Sequence, residues 1–172
     1  MPASSLDESE LLRDVRVLEK AGQWLKAAEA CKQLLLLSLE PVVRAEILEE
    51  SGLCLRRAAY QSSSRADFLK IAKEAQESYL RASREFESIP TAPGEAAHCR
   101  AKALICELLG VEESTERMRI LNEARVIEIQ AFQDSMTKTD MARAAESCAS
   151  LLEIIVELID IETRAETKRG LL

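Results

Sequence analysis

The residues able to carry chemistry are few, and their spacing does not favour it. His98 is the only histidine in the 172-residue chain, and the nucleophile beside it in sequence is Cys99. Consecutive helical residues point about 100° apart around the axis, which is poor geometry for a thiol and its base. His98 therefore reads as a surface or core histidine. Zinc needs three or four ligands at motif spacing, and one histidine with dispersed cysteines does not supply them. Cys31, Cys54, Cys99, Cys106 and Cys148 are odd in number and include no CxxC pair. They read as small core hydrophobes in a reducing compartment. Glycine-rich phosphate loops are absent, and Asp and Glu at this density form solvated helix faces. The expectation is a chain that is not an enzyme, with no catalytic residue, no metal and no cofactor.

Composition narrows the partners. Aromatic residues make up 3% of the chain, too few for a base-stacking platform. A net charge of −7 disfavours phosphate backbones and anionic lipid surfaces, which need clustered Lys and Arg. No nucleic-acid or membrane partner is expected. The opening "MPASSLDESE" lacks a basic region followed by an apolar core, so no signal peptide is expected. The most apolar stretch, "LLEIIVELIDI", is broken by Glu153, Glu157 and Asp160 and is not expected to span a bilayer. A cytoplasmic location follows as an expectation.

With few Gly and Pro and nearly continuous helical periodicity, the chain reads as all-α with about seven helices. Ser5 and Glu8 have capping-box spacing at the first helix, as do Ser64 and Asp67 at the fourth. The second helix is expected over about 23–39. Pro41 suits the first turn of the third, where a missing N–H loses no bond. Along the fourth, Phe68, Ala72, Ala75, Tyr79, Ala82, Phe86 and Ile89 step by fours and threes and share one face. "PTAPG" and "VEEST" separate the fifth and sixth helices, and Thr137 and Asp140 open the seventh. Short connections make neighbouring helices antiparallel, giving hairpins over about 6–39, 41–89 and 95–133 and a terminal helix over about 138–168 of a single domain.

The stretch "AGQWLKAAEACKQLLLLSLEP" resembles the second half of a tetratricopeptide repeat. Gly22, Trp24 and Ala27 stand where that family has its turn glycine, aromatic and small residue. Leu48, Gly52 and Leu55, then Ala75, Tyr79 and Ala82, match a second repeat with a connection about eleven residues too long. A third pair, from Ala96 and Ala103 to Ala124 and Ala131, has Glu128 where an aromatic is usual. The resemblance covers most of residues 6–133 and implies antiparallel hairpins stacked as a right-handed α-solenoid. A plain helical bundle remains the alternative.

That resemblance also implies a concave groove lined by Arg16, Glu49, Leu53, Arg56, Arg100, Leu104 and Glu107, suited to a protein or peptide partner. The seventh helix carries a narrow polar stripe of Glu146, Ser150, Glu153, Glu157, Asp160 and Arg164. Most of its remaining circumference is apolar. Leu151, Leu152, Ile154, Ile155, Leu158 and Ile159 mark it as a candidate interface, because monomers rarely expose so wide a face. Three occupants fit: a second copy giving a homodimer, a downstream segment, or the domain's own core. The expected function is a non-catalytic interaction module, an adaptor or scaffold, with a regulatory or sensory domain of a larger protein as the alternative.

Overall fold

The computed structural model describes residues 8–37 and 39–170. Seven helices follow one another: α1 (Glu8–Lys20), α2 (Trp24–Leu34), α3 (Pro41–Tyr60), α4 (Arg65–Glu87), α5 (Pro93–Leu108), α6 (Ser114–Thr137) and α7 (Met141–Gly170). No strand occurs among the described residues. No helix is long and apolar enough to cross a membrane among them. Each helix packs on the next, and α5 also touches α7.

Local chemistry sets most boundaries. Ser64 caps α4: its hydroxyl oxygen accepts from the Asp67 amide at 3.1 Å. Glu113 caps α6 by accepting from the amides of Thr115 and Glu116, and Asp140 caps α7 through the Arg143 amide. Ser5 lies outside the described residues. Pro41 and Pro93 occupy first-turn positions of α3 and α5. Gly22, at φ +68°, ends α1 in a Schellman turn, with the Gln23 amide reaching the Leu18 carbonyl and the Gly22 amide that of Glu19. Thr139 repeats that turn after α6 at φ 59°, a left-handed conformation unfavourable for a β-branched residue.

One helix is shorter than its periodicity predicts. The second helix is expected to reach residue 39, but α2 stops at Leu34, and Leu36 is 79% exposed. By leaving the helix, Leu35, Leu37 and Leu39 pack on the cluster of Leu11, Val15, Cys31, Leu34 and Ile47 that joins α1, α2 and α3.

The α4 stripe goes inward: Ala72, Ala75, Tyr79, Ala82 and Phe86 are buried, while Phe68 and Ile89 are half-buried. Tyr79 joins Ala27, Cys54, Leu55, Ala103 and Cys106 at the centre. Small side chains set the helix spacing there. Gly52 lies directly under the Tyr79 ring, where a Cβ would sit 2.9 Å from Cγ, Cδ1 and Cε1. Buried Ser78 and Ser83 on α4 donate to the carbonyls of Leu48 on α3 and Ala96 on α5, each at 2.9 Å. A further cluster of Ile105, Leu108, Ile120, Leu121, Ala124, Ile154 and Leu158 holds α5, α6 and α7 together.

Candidate functional site

Two surfaces and one buried polar group stand out. The first surface is a groove of about 750 Å³ formed by α1, α2 and α3, with Lys102 of α5 and Arg143 and Glu146 of α7 closing it. Arg16, Glu49 and Leu53 line it. The remaining residues expected in the groove lie elsewhere. Arg56 points along α3 to Glu153 of α7, bonded at 2.6 and 2.8 Å. Arg100 borders a separate depression with Phe86, Ile89 and Ile127. Leu104 packs on the α5–α6–α7 cluster, and Glu107 accepts from Gln76 at 3.1 Å. On α5 the side chain that reaches the groove is Lys102. Its neighbours Cys99, Ala103 and Cys106 are taken up by packing on α4, and Ile105 and Leu108 by packing on α6 and α7.

Charge in the groove is mixed and locally paired. Arg143 donates to Glu49 at 2.7 Å and to Glu146 at 2.9 Å. Together with Arg56–Glu153, this ties α7 to α3 across more than ninety residues of sequence. Deeper in, burial raises the Glu50 carboxyl to about 8, helped by its hydrogen bond to Glu19 and the charges of Glu19 and Glu49. The Cys54 thiol donates to Glu19 at 3.3 Å. Its hydrogen bond with Cys31, then burial, push that thiol well above its ordinary range. Burial, helped by the charge of Glu153, raises Cys106 to about 12. Cys31, Cys54, Cys99 and Cys106 are buried and reduced, so they pack as small apolar residues, whereas Cys148 is exposed.

His98 sits behind the groove wall and is fully buried. Its Nδ1 lies 2.5 Å from Oε1 of Glu128, which is also fully buried. Ser147 Oγ is 3.4 Å from the same nitrogen. Glu128 and Ser147 both meet Nδ1, so this is not the relay of a nucleophile on one ring nitrogen and an acid on the other. Nε2 faces Glu49 Oε1 at 3.7 Å and has no hydrogen-bond partner. Sequence reading missed this group because Glu128 lies thirty residues from His98. The one available signal was a carboxylate between Ala124 and Ala131, on the small-residue face of α6.

The second surface is the outer face of α7. The six residues marked in sequence divide between two faces. Ile154 and Leu158 lie in the domain's own core with Ile161, and Leu151 is half-buried. Leu152, Ile155 and Ile159 are exposed, joined by Val156 and Met141. Ala142, Ala145, Cys148 and Ala149 are exposed as well. At 100° per residue all nine fall within one arc of about 140° opposite Ile154 and Leu158. Half of the polar stripe turns inward: Glu153 meets Arg56, Glu157 meets Arg117 at 3.1 Å, and Ser150 is buried, whereas Glu146, Asp160 and Arg164 are exposed.

Comparison with the profiles of known protein families, with curated proteins and with solved structures finds no match for this chain.

Proposed function

We propose that this chain is a non-catalytic protein-interaction module, a helical-hairpin array of the tetratricopeptide type that pairs with a second copy of itself through α7. The observation carrying this reading is the outer stripe of α7. Its spacing from Ala145 through Cys148, Leu152, Ile155 and Ile159 alternates threes and fours, the seam of a two-helix contact. Met141, Leu152, Ile155, Val156 and Ile159 are between 42% and 65% exposed, a breadth of apolar surface that monomers rarely leave uncovered.

Side-chain size favours a second copy as the occupant. After Met141 at its start, the N-terminal half of the stripe is small, with Ala142, Ala145, Cys148 and Ala149, and the C-terminal half is large, with Leu152, Ile155, Val156 and Ile159. Two copies running antiparallel about Leu152 would set small against large along the seam and fill it evenly. A parallel pair would leave gaps at one end. Asp160, at the margin, is the one charged residue on the arc between residues 141 and 160, so little desolvation opposes the contact there.

The test is mass by light scattering across a dilution series, with Ile155→Glu alongside. The expected result is a dimer that Ile155→Glu converts to monomer with helix content unchanged. Oxidation should cross-link Leu152→Cys across the two-fold axis and leave the native Cys148 unlinked. A wild-type monomer at every concentration, or a dimer that survives Ile155→Glu, would overturn the reading. Cross-linking through Cys148 would overturn its antiparallel arrangement.

A further inference from the structure

We propose that Glu49, His98 and Glu146 form a binding site for a divalent transition-metal cation of the zinc class, opening on the groove. The inference does not depend on how α7 pairs with a partner. One ligand atom from each of the three side chains lies within 4.8 Å of the others. Around a tetrahedral metal with bonds of about 2.0–2.1 Å, ligand atoms stand roughly 3.3 Å apart. The Nε2–Glu49 separation of 3.7 Å is already close to that. Glu146, its side chain 54% exposed, is free to close the remaining distance.

The independent observation is the state of His98. Glu128 Oε1 lies 2.5 Å from Nδ1; in the tautomer that carries its proton on Nδ1 the carboxylate accepts it, and the Nε2 lone pair faces the groove carboxylates. Nε2 is buried without a hydrogen-bond partner and faces Glu49, which leaves it as an open ligand position beside the groove carboxylates. A buried carboxylate behind a histidine is the outer-shell support that metal-binding imidazoles use. The imidazole selects zinc, cobalt, nickel or copper over magnesium or calcium, which prefer oxygen alone.

Arg143 supplies the positive charge between Glu49 and Glu146 in this structure. The metal takes over both carboxylates, and the guanidinium swings into the adjoining 750 Å³ groove. Because the ligands come from α3, α5 and α7, the bound ion clamps the last helix to the third. The three positions lie 48 or 49 residues apart, which is why no motif spacing reveals them.

The experiment titrates the full chain, carrying Cys148→Ser to remove the exposed thiol, with Zn2+ by calorimetry and with Co2+ by visible absorption. One ion per chain is expected, without a thiolate-to-cobalt band. Glu146→Gln, on the exposed side, should weaken binding at least tenfold, and His98→Gln should do the same. Glu128→Gln should weaken it about ten- to a hundredfold while altering the cobalt spectrum. Arg143→Gln should tighten it about tenfold. The proposal is overturned if no ion binds, or if Glu146→Gln and His98→Gln bind as well as the parent. A thiolate band, placing the ion on the Glu19, Glu50 and Cys54 cluster, would overturn it too.

Discussion

Replacing Gly52 by alanine should destabilise the protein even though alanine is the better helix former. In the middle of α3 the change gains about 1 kcal/mol of helix propensity. Against this, the new Cβ would lie 2.9 Å from three ring carbons of Tyr79. Carbon atoms sit comfortably at about 3.5–4.0 Å, so the ring or the helix must retreat by more than half an ångström. Tyr79 is fully buried among Cys54, Leu55, Ala75, Ala103 and Cys106 and has no room to do so. Overpacking of this kind costs about 1–3 kcal/mol. Near the upper end of that range the net loss is about 1–2 kcal/mol, or a fall in Tm of about 2–8 °C for a chain of this size. The assay is thermal unfolding followed by circular dichroism, with Gly110→Ala as control. There the Cβ meets only the Glu107 carbonyl at 3.6 Å and Leu69 at 3.9 Å, and restricting the unfolded chain should raise stability by about 0.4–1 kcal/mol. In a Tyr79→Leu background the penalty at residue 52 should largely vanish. An unchanged or higher Tm for Gly52→Ala would refute the claim that glycine sets the α3–α4 spacing.

Other perturbations test other parts of the packing. Ala82→Leu, at a fully buried position facing Ala45, Leu48 and Phe86, should cost about 1–3 kcal/mol; an unaltered melting curve would mean that the helices do not approach closely there. Thr139→Gly should relieve the left-handed residue between α6 and α7 and stabilise the chain by about 1 kcal/mol in denaturant titrations; a loss would show that the threonine side chain contributes more than its backbone strain removes. Glu50 has an ordinary value of 4.5 and is raised to about 8 when folded, so the native chain holds a proton that the unfolded chain has released. Stability should fall as pH rises from about 4.5 to 8, and Glu50→Gln should flatten that slope in melts across the window; an identical slope in the variant would assign it to another group.

The legible parts of this protein were those governed by neighbours in sequence. The stripe on α4, the Ser64 cap and the proline starts follow from periodicity and from backbone donors that need partners. The polar stripe of α7 was also visible as a pattern, though not what its inward members Ser150, Glu153 and Glu157 would meet. The α2 terminus was missed because a run of leucines reads as helix until a neighbouring cluster offers better burial outside it. The groove face of α5 was misplaced because Ala, Cys and Leu satisfy several helical registers about equally. Only the competing demands of α4, α6 and α7 select Lys102 over Arg100.

By itself the sequence determined an all-helical chain, the order of its helices, and an apolar excess on the last one. Those properties arise from residues three or four apart, whose spacing on a helix is fixed by the backbone. Tertiary structure decided which half of that apolar surface became core, with Ile154 and Leu158 inward and Leu152, Ile155 and Ile159 left outside. It also decided that His98 would meet Glu128 and face Glu49, and that Arg143 and Arg56 would join α7 to α3. Such contacts join residues thirty to ninety-seven positions apart. Their existence depends on how whole helices dock, because burying the Arg143 and Arg56 charges is favourable only when the opposite charge arrives with them.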